Sequence, residues 1–171
     1  MAGPNQRDVD AALFRRVLGS FPTGVTVVAS TTEGEPVGLT VGSFFSVSLD
    51  PPMVGFCVGT NSTSWPLIER SGVFAVSVLA DDQVDICRML ATKEANKFAT
   101  LTWSPGPVTG APLVAGALAH IECQLETAHA AGDHWIVVGR VRDLVAGRSD
   151  GGPLSFWRGG FGRHEFLADG R

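Results

Sequence analysis

The chain has 171 residues, 44% of them hydrophobic and 18% charged, with a formal net charge of −4. That composition excludes a disordered polymer, and an acidic balance with 13 scattered basic residues excludes a nucleic-acid surface, which needs clustered cations. No apolar run reaches the ~18 residues of a transmembrane helix, and residues 1–10 lack the apolar core of an export signal.

Residues 11–167 read as one domain between a flexible tail at 1–10 and a C-terminal tail at 168–171. A unit of this size buries ~70% of its extended-chain surface. The mean hydropathy of +0.19 is high for a small soluble monomer and points to a subunit interface. Cys57, Cys87 and Cys123 are odd in number and far apart, as expected of reduced thiols in a cytoplasmic protein.

In chain order, Ala11 to Leu18 forms a helix with Leu13, Phe14, Val17 and Leu18 on one face, Asp8 or Asp10 as cap and Gly19 as stop. Phe21-Pro22-Thr23-Gly24 is a tight connection into a strand at Val25 to Ser30, and the turn at Glu33 to Pro36 joins the strands on either side of it into a hairpin. The stretch from Gly38 to Pro52 carries hydroxyls at 40, 43, 46 and 48 among apolar residues and glycines. That spacing departs from plain strand alternation and lets backbone approach a flat or anionic ligand. Met53 to Val58 is a third strand.

Ser64 caps a short helix starting at Trp65-Pro66, Val73 to Leu79 is a strand, and Asp81 or Asp82 caps a helix running to about Leu90. Lys93 to Thr100 holds a short helix, and Trp103 to Pro112 is a Pro/Gly-rich loop. Ala117 to His129 alternates strictly, with Ala119, Ile121, Cys123 and Leu125 on one face and His120, Glu122, Gln124 and Glu126 on the other. This predicts a long, half-exposed antiparallel strand. It turns at Ala131 to His134 and returns along Trp135 to Val145. Phe156 to Phe161 closes the chain. Six or seven short-spaced strands with two or three small helices predict a closed or partly open antiparallel barrel, a mainly β fold.

Neither GxGxxG nor GxxxxGK[ST] nor GxSxG occurs, so the common nucleotide cradles and the serine nucleophile elbow are excluded. His120 and Cys123 have metal-ligand spacing, but three residues apart on a strand they point to opposite faces, and no metal site is expected. Four features beside the 38–52 stretch suit a ligand, each with an ordinary structural reading next to it. Pro22-Thr23-Gly24 is also a plain turn. Ser62, Ser64 and Lys97 offer hydroxyls and a cation to a phosphate, and Ser64 is also an N-cap. Asp133-His134-Trp135 places an imidazole and an indole at a hairpin tip, next to routine turn residues. Trp157-Arg158 suits a stacking wall, or a strand packed on the core.

The order of these features carries a resemblance. Phe-Pro-Thr-Gly-Val-Thr-Val-Val (21–28), Gly-Leu-Thr-Val-Gly-Ser-Phe-Phe-Ser-Val-Ser-Leu-Asp-Pro-Pro (38–52), Phe-Ala-Val-Ser-Val-Leu-Ala-Asp-Asp-Gln (74–83), Gly-Ala-Pro-Leu (110–113) and Gly-Asp-His (132–134) together resemble the flavin reductase-like family. These are the small NAD(P)H:flavin oxidoreductases that feed reduced flavin to two-component monooxygenases. The likeness spans about residues 11 to 167.

The resemblance implies a split, Greek-key antiparallel β-barrel that forms a homodimer, with FAD or FMN in a groove and NADH, or NADPH, as the hydride donor. By the family pattern Pro22, Thr23 and Gly24 line the flavin ring, and Thr40, Val41, Gly42 and Ser43 meet its polar edge. Ser46, Ser48, Ser62, Ser64 and Lys97 serve the phosphate side. His134, in the catalytic position, helps place the nicotinamide, Asp133 beside it is a cofactor-binding residue, and Trp157 and Arg158 lie near the same pocket. The chain departs from the pattern at Gly42 and Ser77, where the family often has Asn.

Overall fold

Asp10 opens the first element. Its carboxylate accepts from the N–H groups of Ala12 and Leu13 at 3.1 and 3.3 Å, and α1 (Ala11–Leu18) runs from there to Gly19. The computed structural model describes residues 9–94 and 96–165, so Asp8 and the expected tails, apart from Val9 and Asp10, lie outside the described residues.

Seven antiparallel strands make the main sheet. Their order is β3 (Glu35–Val41), β2 (Thr26–Thr32), β6 (Val73–Val78), β9 (Ala119–Ala131), β10 (His134–Ala146), β5 (Pro52–Gly59) and β4 (Phe45–Leu49). The two edges, β3 and β4, are consecutive in the chain. A flat sheet would hold them about 29 Å apart, at ~4.8 Å per strand. Four residues from Val41 to Phe45 reach at most about 14 Å. The sheet must therefore curl until its edges approach, and the result is a split antiparallel barrel. Smaller ribbons flank it: β1 (Thr23–Gly24), β11 (Leu154–Trp157) and β12 (Gly160–Arg163) form one, β7 (Trp103–Pro105) and β8 (Pro112–Val114) the other. Two short helices, α2 (Trp65–Ser71) and α3 (Val84–Leu90), pack against it. No helix among the described residues is long and apolar enough to cross a membrane.

Two large apolar clusters and a small one at Ala75, Ala111 and Leu113 lie among the described residues. Inside the barrel Phe56 meets Trp65 and Phe74 edge-on, with ring centroids 5.9 and 5.5 Å apart. On the outer side of β2, Val27, Leu79 and Leu154 pack with Leu90 of α3. Burial on both faces is why β2 and β6 read as continuous apolar runs and not as alternating strands. Where the β9–β10 register shifts, residue 139 is glycine, and a Cβ there would enter the Phe74 ring.

Several local expectations are corrected. Ser64 holds the N-cap position of α2, but its side chain makes no cap bond; the Ser62 hydroxyl accepts from Trp65 N–H instead, at 3.1 Å. Neither Asp81 nor Asp82 caps α3, whose N-cap is Gln83. Arg148 engages Asp82 through two bonds of 2.9 and 2.8 Å, and Arg163 draws Asp81 to 3.7 Å. The described part of 93–100 forms turns, not a helix. The 103–112 loop has strand pairing at both ends, and Thr23–Gly24 pairs with β11.

The polar face of β9 is exposed only in its second half. His120 and Glu122 are buried, the latter completely, because the 106–114 segment covers them. The Glu122 carboxylate accepts from Thr109 N–H (2.6 Å), Thr109 Oγ1 (2.5 Å) and Val108 N–H (3.3 Å), so polar alternation persists with a partner in place of water. Glu122→Ala orphans these donors and should lower the unfolding free energy by roughly 2–4 kcal/mol. Urea denaturation measures this; a loss below ~1 kcal/mol would show that the segment docks without the carboxylate.

Candidate functional site

A cavity of about 400 Å³ opens at the end of β3, bounded by the end of β5, the approach to α2, the end of α3 and the β9–β10 turn. Three chain segments expected to share a ligand converge there. Thr40, Val41, Gly42 and Ser43 form one wall; Ser62, Ser64 and Lys97 form a second; His134 stands at a third.

Each wall is held by backbone. Ser43 accepts from Cys57 N–H at 2.8 Å and donates to Cys57 O at 3.1 Å, so its hydroxyl acts as a strand partner before β4 begins. Ser62 is similarly occupied by Trp65 N–H. Lys97 reaches Leu90 O (3.2 Å), Gly38 O (3.4 Å) and Ser64 Oγ (3.4 Å). All three acceptors are neutral, and no carboxylate among the described residues comes within ion-pair distance of it. Desolvation pushes the Lys97 ammonium below its ordinary pKa.

The third wall is set by the hairpin tip. Asp133 O accepts from both Thr60 N–H (2.9 Å) and Thr60 Oγ1 (3.1 Å), tying the turn to the end of β5. The Asp133 carboxylate lies 2.7 Å from His134 Nδ1, and this bond holds its pKa below the ordinary carboxylate value. With Nδ1–H donating to Asp133, the other ring nitrogen, Nε2, is left over Gly59, another lining residue. The imidazole is half exposed, open to a ligand arriving from solvent.

Other expected residues sit elsewhere. Thr23, on β1 between Pro22 and Gly24, lies behind Gly42: a Cβ at residue 42 would come 2.8 Å from Thr23 Oγ1. A side chain at 42 would have to turn the Thr23 hydroxyl aside, and nothing in the structure explains that departure from the family pattern. Ser77 also lies elsewhere. Buried in β6, it bonds His120 Nδ1 at 2.9 Å and Val114 N–H at 3.1 Å, away from the cavity. Ser46 and Ser48 lie on the edge strand β4, outside the cavity lining. Trp157 donates to Ser20 O at 3.1 Å, and the Arg158 guanidinium stacks over its ring at 4.5 Å. Within one chain Arg158 lines a different cavity, beside Arg15 and Arg16.

The lining also includes Cys57, Asn61, Thr92 and Lys93, which sequence reasoning did not single out. Lys93 had a signal: it lies four residues before Lys97, a spacing that reads as a doubled cation. Thr92 had none, since it reaches the cavity only because α3 ends there.

Comparison with known proteins agrees with this geometry. The flavin reductase like domain model matches residues 18–165. The reductase subunit HsaB of a flavin-dependent monooxygenase from Rhodococcus jostii (strain RHA1) is 46% identical over 151 residues, 88% of this chain and 76% of that protein. A flavin reductase from Pseudomonas putida is 46% identical over 155 residues, 90% of each chain. Among solved structures, the Streptomyces globisporus C-1027 NADH:FAD oxidoreductase SgcE6 superposes with a TM-score of 0.86 at 39% identity, covering 100% of this chain and 98% of that one. With a model matched across most of its length and relatives at this identity, the chain belongs to the flavin reductase-like family.

Proposed function

We propose that residues 11–167 act as one NADH:flavin oxidoreductase unit, which reduces flavin and releases it to a separate flavin-dependent monooxygenase. The observation that carries this reading is the convergence of the 40–43 wall, Lys97 and His134 on one cavity. The donor set fits a flavin nucleotide. Leu39, Val41 and Val58 give the cavity an apolar side for a ring system, and Lys97, lacking an anionic partner among the described residues, suits a phosphate.

Bound flavin supplies the hydride acceptor for the reduced nicotinamide. The chain's residues contribute position. Lys97 and Ser64 anchor the phosphate end, and the Ser43–Cys57 bonds fix the wall against which the ring lies. His134, its Nδ1 held by Asp133, directs Nε2 to the incoming nicotinamide. Such pre-set geometry is the main catalytic term when two ring systems must meet face to face. No side chain is assigned a proton transfer. Free thiols at Cys57, Cys87 and Cys123 and the use of NADH suit the cytoplasm.

A homodimer belongs to the same proposal. Leu13, Phe14, Val17 and Leu18 on α1 are 44–57% exposed, and Phe21 beside them is 72% exposed. Such a contiguous apolar face on an amphipathic helix needs a partner, and a second copy supplies one.

The direct test is NADH consumption by the purified protein with added FAD or FMN. Turnover with either flavin is expected; a yellow protein without turnover indicates another flavin role, and neither indicates a non-enzymatic barrel. His134→Ala should raise KM for NADH roughly ten-fold, about 1.4 kcal/mol, while flavin affinity stays within about two-fold. Equal loss of both would remove the positioning role. Lys97→Met should weaken flavin binding by roughly 1.5–3 kcal/mol in fluorescence titration, as expected of a bond to a charged group. Phe14→Glu should convert the dimer to a monomer in analytical ultracentrifugation; an unchanged mass would move the interface off α1.

A further inference from the structure

Two turns meet at the cavity, and they are tied to each other. A bond of 3.0 Å from Ser62 N–H to Gly59 O closes the turn after β5, with Thr60 and Asn61 at its centre. Thr60 bonds Asp133 O through both its N–H and its hydroxyl, and the strand register sets Gly59 opposite His134. Asn61 and His134 are therefore neighbours across a fixed junction, and both line the cavity.

Between them the chain leaves a gap. Gly59 has no side chain, and a Cβ there would stand 2.9 Å from Asn61 Oδ1 and 4.0 Å from His134 Nε2. Two polar atoms thus border one point. His134 bonds Asp133 through Nδ1, and the Asn61 side chain makes no hydrogen bond among the described residues. With Nδ1–H given to Asp133, Nε2 of the neutral ring is an acceptor, and Asn61 turns its oxygen to the same gap, with Cγ farther off at 4.0 Å. Resting on the reductase reading, we propose that Asn61 is a specificity-determining residue: Asn61 Oδ1 and His134 Nε2 together accept from the carboxamide –NH2 of the reduced nicotinamide, seated over Gly59.

The chemistry of the pair selects this group. An –NH2 carries two N–H donors, each reaching an acceptor at ~2.9 Å, so a single nitrogen can satisfy two acceptors that border one point. The polar edge of a flavin ring instead places a carbonyl on either side of one N–H, and two acceptors close together would repel those carbonyls. The carboxamide is the one substituent on the nicotinamide ring, so holding it also fixes how the ring is turned in its own plane. A site built to bond an N–H discriminates against an analogue without one. Asn61 and His134 are both exposed, so water replaces part of any bond lost and the discrimination is moderate.

The test is steady-state turnover of the full-length protein, at saturating flavin, with NADH and with its reduced 3-acetylpyridine analogue. The analogue keeps the carbonyl and the adenylate end and lacks the –NH2. Because the two donors differ in intrinsic hydride-donating power, the readout is the ratio of their kcat/KM values in each variant against wild type. Asn61→Leu should lower kcat/KM about five- to ten-fold for NADH, chiefly through KM, and less than about two-fold for the analogue. Asn61→Asp keeps an acceptor and should hold the preference for NADH within about two-fold of wild type. Flavin affinity by fluorescence quenching should stay within about two-fold in both variants, which also shows that they are folded. Equal loss with both donors, loss with neither, or a lost preference in Asn61→Asp would overturn the proposal. So would a loss confined to flavin binding, which would set Asn61 against the flavin. Wild type that turns over neither donor would overturn the reductase reading and this assignment with it, an outcome distinct from the others because no donor ratio would exist.

Discussion

Backbone pairing along β10 is the constraint on which the molecule depends. This strand is hydrogen-bonded to β9 along twelve residue pairs on one side and to β5 along seven on the other. It thereby joins β5 and β4 to the rest of the sheet and lets a seven-strand sheet meet itself through the short β3–β4 link. The same strand begins at His134, so the element that completes the barrel also delivers the imidazole to the cavity. Barrel closure and site assembly are one event, and the Asp133–Thr60 bonds fix the point at which they coincide.

The site itself is economical in ion pairs. The bidentate pairs, Arg140 with Glu126 and Arg148 with Asp82, lie away from the cavity. Each lowers its carboxyl's pKa through hydrogen bonding to the guanidinium and contributes little more than local order at an exposed position. At the cavity, apart from the His134–Asp133 pair and the Lys97–Ser64 bond, polar groups are bonded to backbone: Ser43 to Cys57, Ser62 to Trp65, Lys97 to two carbonyls. Neutral carbonyl partners leave the Lys97 charge uncompensated. A cavity of this kind is ordered before binding and electrostatically incomplete until binding.

Much of the architecture is legible in the sequence because periodicity and turn chemistry act locally. The β9–β10 hairpin arises from alternation interrupted by Gly132-Asp133, and α1 arises from Asp10 and its spacing of apolar residues. The features that are not legible depend on distant partners. Glu122 keeps its alternating polar place yet is buried, because Thr109, thirteen residues away, covers it. Asp82 looks like a helix cap, but Arg148 takes it across sixty-six residues. In the site, Thr40, Ser43, Ser64, Lys97 and His134 are recognisable from their motifs, whereas Asn61 and Thr92 enter only through where β5 and α3 stop. Ser46 and Ser48 continue the same hydroxyl rhythm, but the chain changes strand between Val41 and Phe45 and carries them to the far edge of the sheet.

Thr23 and Gly42 show how one missing side chain links two parts of the molecule. Thr23 is in the small ribbon whose neighbouring strand, β11, carries Trp157 and leads to Arg158, while Gly42 is in the cavity wall. Because the Thr23 hydroxyl occupies the volume a side chain at 42 would claim, the ribbon seats directly against the wall like a tooth in a notch. The two surfaces touch here: bulk added at 42 meets the Thr23 hydroxyl first, at 2.8 Å, and the ribbon backbone at Gly24 O only at 3.6 Å. A side chain at 42 and the hydroxyl at 23 therefore share one volume, and the two positions couple through the side-chain rotamer of Thr23.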